Sequence, residues 1–272
     1  MPHPSPGDWP ENRIVARLPG SLPMGGVVQG TPVHAFAALP AAHAWPSDHG
    51  RIPRRHDIDL GGLTAFVIDD VITAEEADSL IAASEHFGFR DEAPGIATPP
   101  GMRMNMSVHW LADDVLLTTV FERIAHLLPE QVDGAKLHRQ LSRRLNVYRY
   151  RQGDTFNLHV DGDWPGYGLS EDRREMVEWP GVRSRLSLLL YLNGTEDGIV
   201  GGNTRLYRHD RRFEEVSPKK GSALFFRHGM GPGSVLHEGR PVVGPVAKYV
   251  ARINVLYEDG PDTGARIMHR FD

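Results

Sequence analysis

The sequence predicts a mainly β protein in which N-terminal helices precede a jelly roll, a closed double sheet of antiparallel strands. From about residue 145 onward, short apolar segments alternate with clusters of Gly, Pro and Asp, and no helical periodicity intervenes. Such a run of short strands is typical of sandwiches and jelly rolls. Two amphipathic helical patterns lie before it, within residues 61–140. Helices followed by a double sheet are therefore the predicted architecture.

Composition excludes several classes of site. The chain has 272 residues, enough for one large domain with an extension. Cysteine is absent, so a metal site would need histidine and carboxylate ligands. A net charge of -5 gives no overall reason to bind nucleic acid or an anionic membrane. The N-terminus lacks the apolar core of a signal peptide and no apolar run reaches membrane-span length, so we expect a cytoplasmic protein.

Residues 1–60 are rich in Pro, Gly, Ala and His and show little periodicity. They contain too few large apolar side chains for a core of their own. We interpret them as an irregular N-terminal extension rather than an independent domain. Deleting residues 1–50 is accordingly expected to leave stability nearly unchanged.

Residues 61–140 are predicted to be a helical support for the jelly roll. Residues 64–70 are typical of a short strand, and Thr73 with Glu76 forms a capping box that opens a helix ending near Gly88. Residues 91–101 are predicted to be a loop. An apolar stripe predicts a second helix over residues 113–128.

The jelly roll is predicted to occupy residues 145–258, which complete one domain of residues 61–258. A C-terminal tail, residues 259–272, follows it. The predicted strands cover residues 145–150, 156–161, 184–192, 203–207, 213–216, 222–226, 233–237 and 247–257.

His159 and Asp161 form a candidate metal motif at the end of an alternating apolar and aromatic segment. In an extended chain, residues two apart point the same way, so both side chains would face one point. Two histidines and one carboxylate on one side of a metal, with the other positions open, are typical of non-haem Fe(II) oxygenases. The tripeptide alone is a weak signal, and a third ligand is required.

His237 is the best candidate for that third ligand. It follows an apolar segment and precedes a Gly/Pro turn, and a jelly roll can bring such a position back to His159. His209 and His228 compete for the role. We interpret both as loop or surface histidines.

The last predicted strand places two cations on one face. Lys248, Val250, Arg252 and Asn254 alternate with an apolar set suited to packing on helices. Cations facing the interior of a jelly roll would be costly unless they met an anion. A dicarboxylate keto acid that also chelates the metal would supply it. The alternative is that both cations reach solvent from an edge strand.

Six elements in this order resemble the 2-oxoglutarate- and Fe(II)-dependent oxygenases of the prolyl 4-hydroxylase type, over roughly residues 61–258. They are the entry helix at Thr73, the lead-in Tyr150 and Gly153 before His159, the central strand 185–193, the turn 201–204, the strand 221–226, and the closing motifs 237–242 and 248–252. The resemblance implies a double-stranded β-helix, the cupin-like form of the jelly roll.

The resemblance also implies cofactors and their ligands. His159, Asp161 and His237 would bind Fe(II), and Lys248 would bind the distal carboxylate of 2-oxoglutarate. The walls beside it would carry Tyr150 and Tyr191, and Arg252 would be the substitute anchor if Lys248 points away. The implied cofactors are Fe(II), 2-oxoglutarate and O2, with ascorbate as a stimulant.

The implied reaction hydroxylates an unactivated C–H bond of a small molecule, an amino acid or a peptidyl residue, with decarboxylation of 2-oxoglutarate to succinate. Asp161 favours hydroxylation, because halogenating relatives carry a small residue at its position. Desaturation and cyclisation stay open, as do the substrate and the oligomeric state. The alternative from another class is a cupin-like metal- or ligand-binding protein, or an isomerase, without O2 chemistry.

Two further regions bear on the substrate. Arg103 and Asn105 resemble an Arg-x-Asn element of some relatives and are expected to face substrate, as is Trp164 in the long loop 162–183. The basic cluster 139–144, with Arg149 and Arg151, is interpreted as a solvated outer face.

Overall fold

A computed structural model describes residues 9–21, 27–91 and 101–258. The predicted fold class, mainly β with two helices before a double-stranded β-helix, is confirmed. The strands are β1 (Asn12–Ser21), β2 (Val27–Phe36), β3 (Arg54–Asp57), β4 (Ala65–Asp69), β5 (Met106–Leu111), β6 (Gln131–Val132), β7 (Ala135–Leu141), β8 (Arg144–Tyr150), β9 (Phe156–His159), β10 (Pro165–Leu169), β11 (Met176–Tyr191), β12 (Thr204–Tyr207), β13 (Phe213–Val216), β14 (Ala223–Arg227), β15 (Leu236–Gly239) and β16 (Lys248–Glu258), and the helices are α1 (Ala74–Phe87) and α2 (Asp114–Ile124).

Two sheets build the jelly roll. The large sheet runs β1-β2-β5-β8-β16-β11-β14-β4-β3, with β10, β7 and β6 attached beside it, and the small sheet runs β13-β12-β15-β9. A buried cluster joins them, with Leu206 of the small sheet against Tyr191, Leu224 and Val250 of the large sheet. The space between the sheets is where the candidate metal motif lies.

The two helices cover the outer face of the large sheet. Thr73 and Glu76 form the predicted capping box, and Gly88 ends α1 with a positive φ of 88°. Asp113 caps α2, which ends at Ile124 and continues as one 3-10 turn to Leu127, so the predicted end at residue 128 is nearly met. Neither described helix is long and apolar enough to cross a membrane.

β16 confirms the predicted alternation. Ala251, Ile253 and Val255 belong to the core cluster shared with the helices, while Lys248 and Arg252 point between the sheets and are 3% and 6% exposed. β16 lies between β8 and β11, so the alternative of an edge strand with solvent-exposed cations is excluded.

The expectation of an irregular N-terminal extension is wrong for residues 12–21 and 27–36. β1 and β2 form an antiparallel hairpin, and β2 pairs in parallel with β5. Val33 and Phe36 are buried, as is Trp45 farther along. The stretch cannot build a core alone, but its apolar side chains pack on β5 and α1. The composition of the stretch does not reveal this packing.

Other boundaries also differ. β5 and β7 lie in the segment predicted to be helical support, and residues 165–191 hold the β10–β11 hairpin where residues 162–183 were expected to be a loop. β15 begins at residue 236, three residues later than predicted. The predicted tail 259–272 and most of the predicted loop 91–101 lie outside the described residues.

Phe36 provides a test of the packed hairpin. Its ring lies 4.6 Å from that of Phe87 and 6.4 Å from that of Trp110, centroid to centroid. Phe36→Ala should lower the free energy of unfolding by about 3 kcal/mol, because a buried ring is lost and a cavity is left. Equilibrium urea denaturation measures it. Ile52→Ala is the control, since Ile52 is 74% exposed; equal stability of the two variants would contradict the packing.

Candidate metal centre and adjoining cavities

Strand register brings the two candidate histidines together. β9 and β15 are antiparallel neighbours, and His159 pairs directly with His237. Their ring centroids are 4.2 Å apart. Asp161 follows β9 by two residues, so its side chain projects to the same side as that of His159. The spacing in the sequence and the pairing of the strands thus produce one cluster.

Each imidazole is oriented by the backbone. His159 Nδ1 lies 2.7 Å from the carbonyl of Asn157, and His237 Nδ1 lies 3.1 Å from the carbonyl of Val235. A carbonyl can only accept, so each Nδ1 donates and each Nε2 carries a lone pair. The two Nε2 atoms lie 3.7 and 3.9 Å from the Asp161 carboxylate. Both lone pairs are therefore available beside one carboxylate.

Asp161 is held by two donors from the large sheet. Its Oδ2 accepts hydrogen bonds from Ser187 Oγ at 2.5 Å and from Arg252 Nε at 2.9 Å. Burial alone would raise the pKa of Asp161, but the Arg252 guanidinium, His159 and His237 together outweigh it, and the pKa lies well below its ordinary value. Oδ1 faces His159. The carboxylate is thus ionised, with Oδ2 held by Ser187 and Arg252 and Oδ1 directed at His159, while His237 Nε2 lies nearest to Oδ2.

The three side chains fit a metal ion. One ligand atom from each of His159, Asp161 and His237 lies within 4.8 Å of the others. Burial and the neighbouring His159 lower the pKa of His237 to about 3, so it is neutral at pH 7 as a ligand must be. Two imidazole nitrogens and one carboxylate oxygen are the donor set of a facial site for non-haem Fe(II).

The competing histidines lie elsewhere. His209 is in the turn after β12 and does not join the cluster. His228 is 1% exposed, so the interpretation of a surface residue is wrong; it follows the buried strand β14. Its two ring nitrogens contact the hydroxyls of Ser187 and Ser184 at 2.8 Å each. Those contacts make His228 a neighbour of the site rather than a candidate ligand.

A first cavity, which we call the lysine cavity, extends from the cluster to Lys248. Its volume is about 40 Å³, and its lining includes Tyr150, Thr204, His237 and Lys248. The Lys248 ammonium donates to the Gly202 carbonyl at 2.5 Å and lies 5.3 Å from the Tyr150 ring. Burial lowers the pKa of Lys248 to about 7. Among the described residues it has no carboxylate partner.

The two tyrosines expected beside Lys248 differ in position. Tyr150 lines the lysine cavity directly. Tyr191 lies behind the lining, where its hydroxyl is 2.9 Å from the Thr204 hydroxyl and its ring is 5.4 Å from the Lys248 ammonium. Arg252, the expected substitute anchor, already has Asp161 as its partner. Of the two candidate anchors, Lys248 is thus the one without a carboxylate partner among the described residues.

A second cavity, which we call the arginine cavity, has a volume of about 180 Å³. It shares five lining residues with the lysine cavity, so the two adjoin at the cluster; they are Tyr148, Phe156, His159, Asp161 and Arg252. Arg103 and Trp164 also line it, and their contact with a substrate stays a prediction. Asn105 does not; it is buried, and its Oδ1 accepts from Arg103 Nε at 3.2 Å.

Sequence reasoning missed several lining residues of the arginine cavity. Arg144, His109 and Asn146 all contribute to it. The interpretation of a solvated basic face is wrong for Arg143 and Arg144, which are 1% and 6% exposed. A signal was present, because positions 144, 146, 148 and 150 share one face of β8. Tyr150 was expected beside the cofactor. Arg144 lies on the same face of β8 as Tyr150, so it too could have been expected to line the site.

The family comparison agrees with this geometry. Residues 145–256 match the family model described as the 2OG-Fe(II) oxygenase superfamily. The matched residues span the jelly roll of this chain, from β8 into β16. The match supports the resemblance and the expected cofactors, Fe(II), 2-oxoglutarate and O2. It favours a 2-oxoglutarate-dependent dioxygenase over a cupin-like binding protein or isomerase without O2 chemistry.

Solved structures similar to this chain include three prolyl hydroxylases. One is the viral collagen prolyl hydroxylase from Paramecium Bursaria Chlorella virus-1 in its 2OG complex, with a TM-score of 0.49, 20% identity, and coverage of 74% of this chain and 100% of that chain. The second is a Pseudomonas putida prolyl-4-hydroxylase, with a TM-score of 0.49, 14% identity, and coverage of 74% and 95%. The third, from Trichoplax adhaerens with a peptide fragment of hypoxia inducible factor, has a TM-score of 0.49, 15% identity, and coverage of 74% and 86%. No curated protein matches the chain.

Replacing His237 tests the metal centre. His237→Ala removes one of three donor atoms, so we expect the affinity for Mn(II), used as a redox-stable substitute for Fe(II), to fall by at least about tenfold. Anaerobic calorimetric titration measures it. His209→Ala is the matched control and should bind as the wild type does. Normal binding by the His237 variant, with a loss in the His209 variant, would assign the third ligand to His209.

Proposed function

We propose that the protein hydroxylates an unactivated C–H bond of a small molecule and couples this to decarboxylation of 2-oxoglutarate to succinate. His159, Asp161 and His237 would hold Fe(II), and Lys248 would bind the distal carboxylate of the keto acid. Bound Fe(II), 2-oxoglutarate and O2 supply the oxidising power in this family. The residues of the chain supply placement, charge balance and exclusion of water.

The observation that carries the proposal is the state of Lys248. An ammonium that is 3% exposed is costly unless an anion meets it. Its one polar contact is a backbone carbonyl, and no carboxylate in the described part of the chain reaches it. The lysine cavity measures about 40 Å³, above the roughly 10–15 Å³ that a cavity needs to hold one water molecule. That space suits a carboxylate group, and the rest of a keto acid would extend towards the cluster.

Arg252 has a separate part in this proposal. Together with Ser187 it fixes Asp161 Oδ2, which leaves Oδ1 for the metal. Residues that orient a metal ligand typically affect metal affinity by ten- to a hundredfold. Arg252 would therefore support the metal, whereas Lys248 would select the keto acid.

The two adjoining cavities support separate binding sites for the cofactor and the substrate. The lysine cavity would take the cofactor, and the arginine cavity would take the substrate on the other side of His159 and Asp161. Arg103, Trp164 and the aromatic rings of Tyr148 and Phe156 line the second space. Aromatic walls exclude water and hold an apolar body. A hydroxylase needs this arrangement, because the C–H bond must lie beside the metal.

Lys248→Met tests the assignment of the keto acid. Anaerobic titration of the Fe(II)-loaded protein with 2-oxoglutarate should produce a weak visible charge-transfer band in the wild type. The variant loses a desolvated charge partner. The 2-oxoglutarate concentration that gives half of the maximal band should therefore rise by roughly thirtyfold or more. At pH 8 the wild type should also take up protons on binding, because Lys248 is largely neutral above its pKa of about 7 and a carboxylate favours its charged form.

Arg252→Met is the contrasting variant. It should weaken Fe(II) binding and leave the affinity for 2-oxoglutarate nearly unchanged once the metal is saturating. If the Arg252 variant alone loses the keto acid, Arg252 is the anchor. A wild type with no band would contradict the proposed function.

A further inference from the structure

We propose that the substrate is a small organic acid whose carboxylate binds in the arginine cavity between Arg144 and Arg103. The inference rests on the proposed function, which assigns the lysine cavity to 2-oxoglutarate, and it deepens that function by naming the class of substrate. The evidence for this inference is the pair of cations, Arg144 and Arg103, that line the arginine cavity.

Arg144 differs from the other buried arginines that the structure describes. Four of them pair with a carboxylate: Arg123 with Glu76, Arg143 with Asp114, Arg227 with Asp133 and Arg252 with Asp161. Arg144 is 6% exposed and forms no ion pair with any residue that the structure describes. Arginine is almost never fully buried unless it is paired. The missing anion is therefore expected from outside the chain.

The surroundings of Arg144 fix its guanidinium without neutralising it. Nη2 donates to His109 Nδ1 at 3.2 Å, and the guanidinium carbon lies 5.2 Å from the Trp164 ring centroid. Nε is buried and has no hydrogen-bond partner among the described residues. Burial lowers the pKa of Arg144 to about 10, which still leaves it cationic at pH 7. A fixed, charged side chain that lacks an anionic partner among the described residues lines the cavity.

Arg103 adds a second cation to the same cavity. Its guanidinium carbon lies 4.6 Å from the Tyr148 ring centroid, and Nε donates to Asn105 Oδ1 at 3.2 Å. Nη2 is buried without a hydrogen-bond partner in the part of the chain that the structure describes. The ring and the amide hold the side chain in place, so little conformational entropy is lost when an anion binds. Asn105 is thus a positioning residue for Arg103.

No acid of the described chain can serve both guanidinium groups. Asp161 is the one carboxylate that lines either cavity, and it already accepts from Ser187 and Arg252. Guanidinium groups match carboxylates in geometry as well as charge. A neutral peptidyl residue would bury both cations without compensation. A carboxylic acid removes that cost, which favours an acid as substrate.

The size of the cavity agrees with a small acid. Its volume of about 180 Å³ is slightly above the roughly 150 Å³ of an apolar cavity that holds benzene. The rings of Trp164, Tyr148 and Phe156 provide an apolar wall for the body of the molecule. A carboxylate held at Arg144 would place that body beside His159 and Asp161, which line the same space.

The test compares acids with their amides. The probes are the twenty free L-amino acids and benzoate, each against its primary carboxamide, titrated by calorimetry into anaerobic protein saturated with Mn(II) and 2-oxoglutarate. At least one acid should bind, with its amide at least about tenfold weaker. Arg144→Met should weaken that acid by at least about tenfold. Arg139→Met is the control, because Arg139 is exposed on β7, and should bind the acid as the wild type does.

Thermal unfolding separates binding from folding. Arg144→Met replaces an unpaired buried cation by an apolar chain, so its melting temperature should not fall below that of the wild type. A structural role for Arg144 predicts a clear fall. The inference is overturned if acids and amides bind equally, if no acid binds, or if a neutral proline-containing peptide binds both proteins equally. Loss of 2-oxoglutarate binding in the wild type would instead overturn the proposed function.

Discussion

The ion pair between Asp161 and Arg252 connects the two sheets at the candidate metal centre. Asp161 extends from β9 of the small sheet, and Arg252 lies in the middle of β16 of the large sheet. The pair is almost completely buried, so breaking it by removing one partner would leave an uncompensated charge. Ser187 of β11 adds a second contact to the same carboxylate oxygen. The direction of the other oxygen, and with it the facial arrangement with His159 and His237, depends on this contact.

Three cations around that carboxylate have distinct surroundings. Arg252 has its carboxylate, Lys248 has a backbone carbonyl, and Arg144 has an imidazole. Because buried charge is tolerated where an opposite charge meets it, these differences predict where external anions bind. We propose that a dicarboxylate cofactor binds at Lys248 and that an acidic substrate binds at Arg144. The two cations would then place the cofactor and the substrate on different sides of the metal.

Local periodicity in the sequence predicted much of the site. The spacing of His159 and Asp161 and the alternation along β16 are period-two patterns, which require no knowledge of the partner strand. The capping box at Thr73 is equally local. These features were predicted correctly because backbone geometry alone determines them.

Features that depend on partners were not predictable from the sequence. The β1–β2 hairpin is stable because β5 and α1 cover residues such as Phe36, which its own composition does not show. Arg144 was taken for a surface residue, because its burial depends on β5 and on Trp164 across the cavity. The contact of Arg252 with Asp161 likewise depends on how the two sheets pack. Strand register, rather than residue type, decided each of these cases.

A crystal structure of the protein grown anaerobically with Mn(II) and 2-oxoglutarate tests the central claim most directly. Anomalous scattering locates the metal, and the electron density locates both carboxylates of the keto acid. The account predicts one metal ion bonded to His159 Nε2, Asp161 Oδ1 and His237 Nε2, with the distal carboxylate at Lys248 Nζ. A metal ion bound without His237, or a keto acid whose distal carboxylate lies at Arg144, would contradict it.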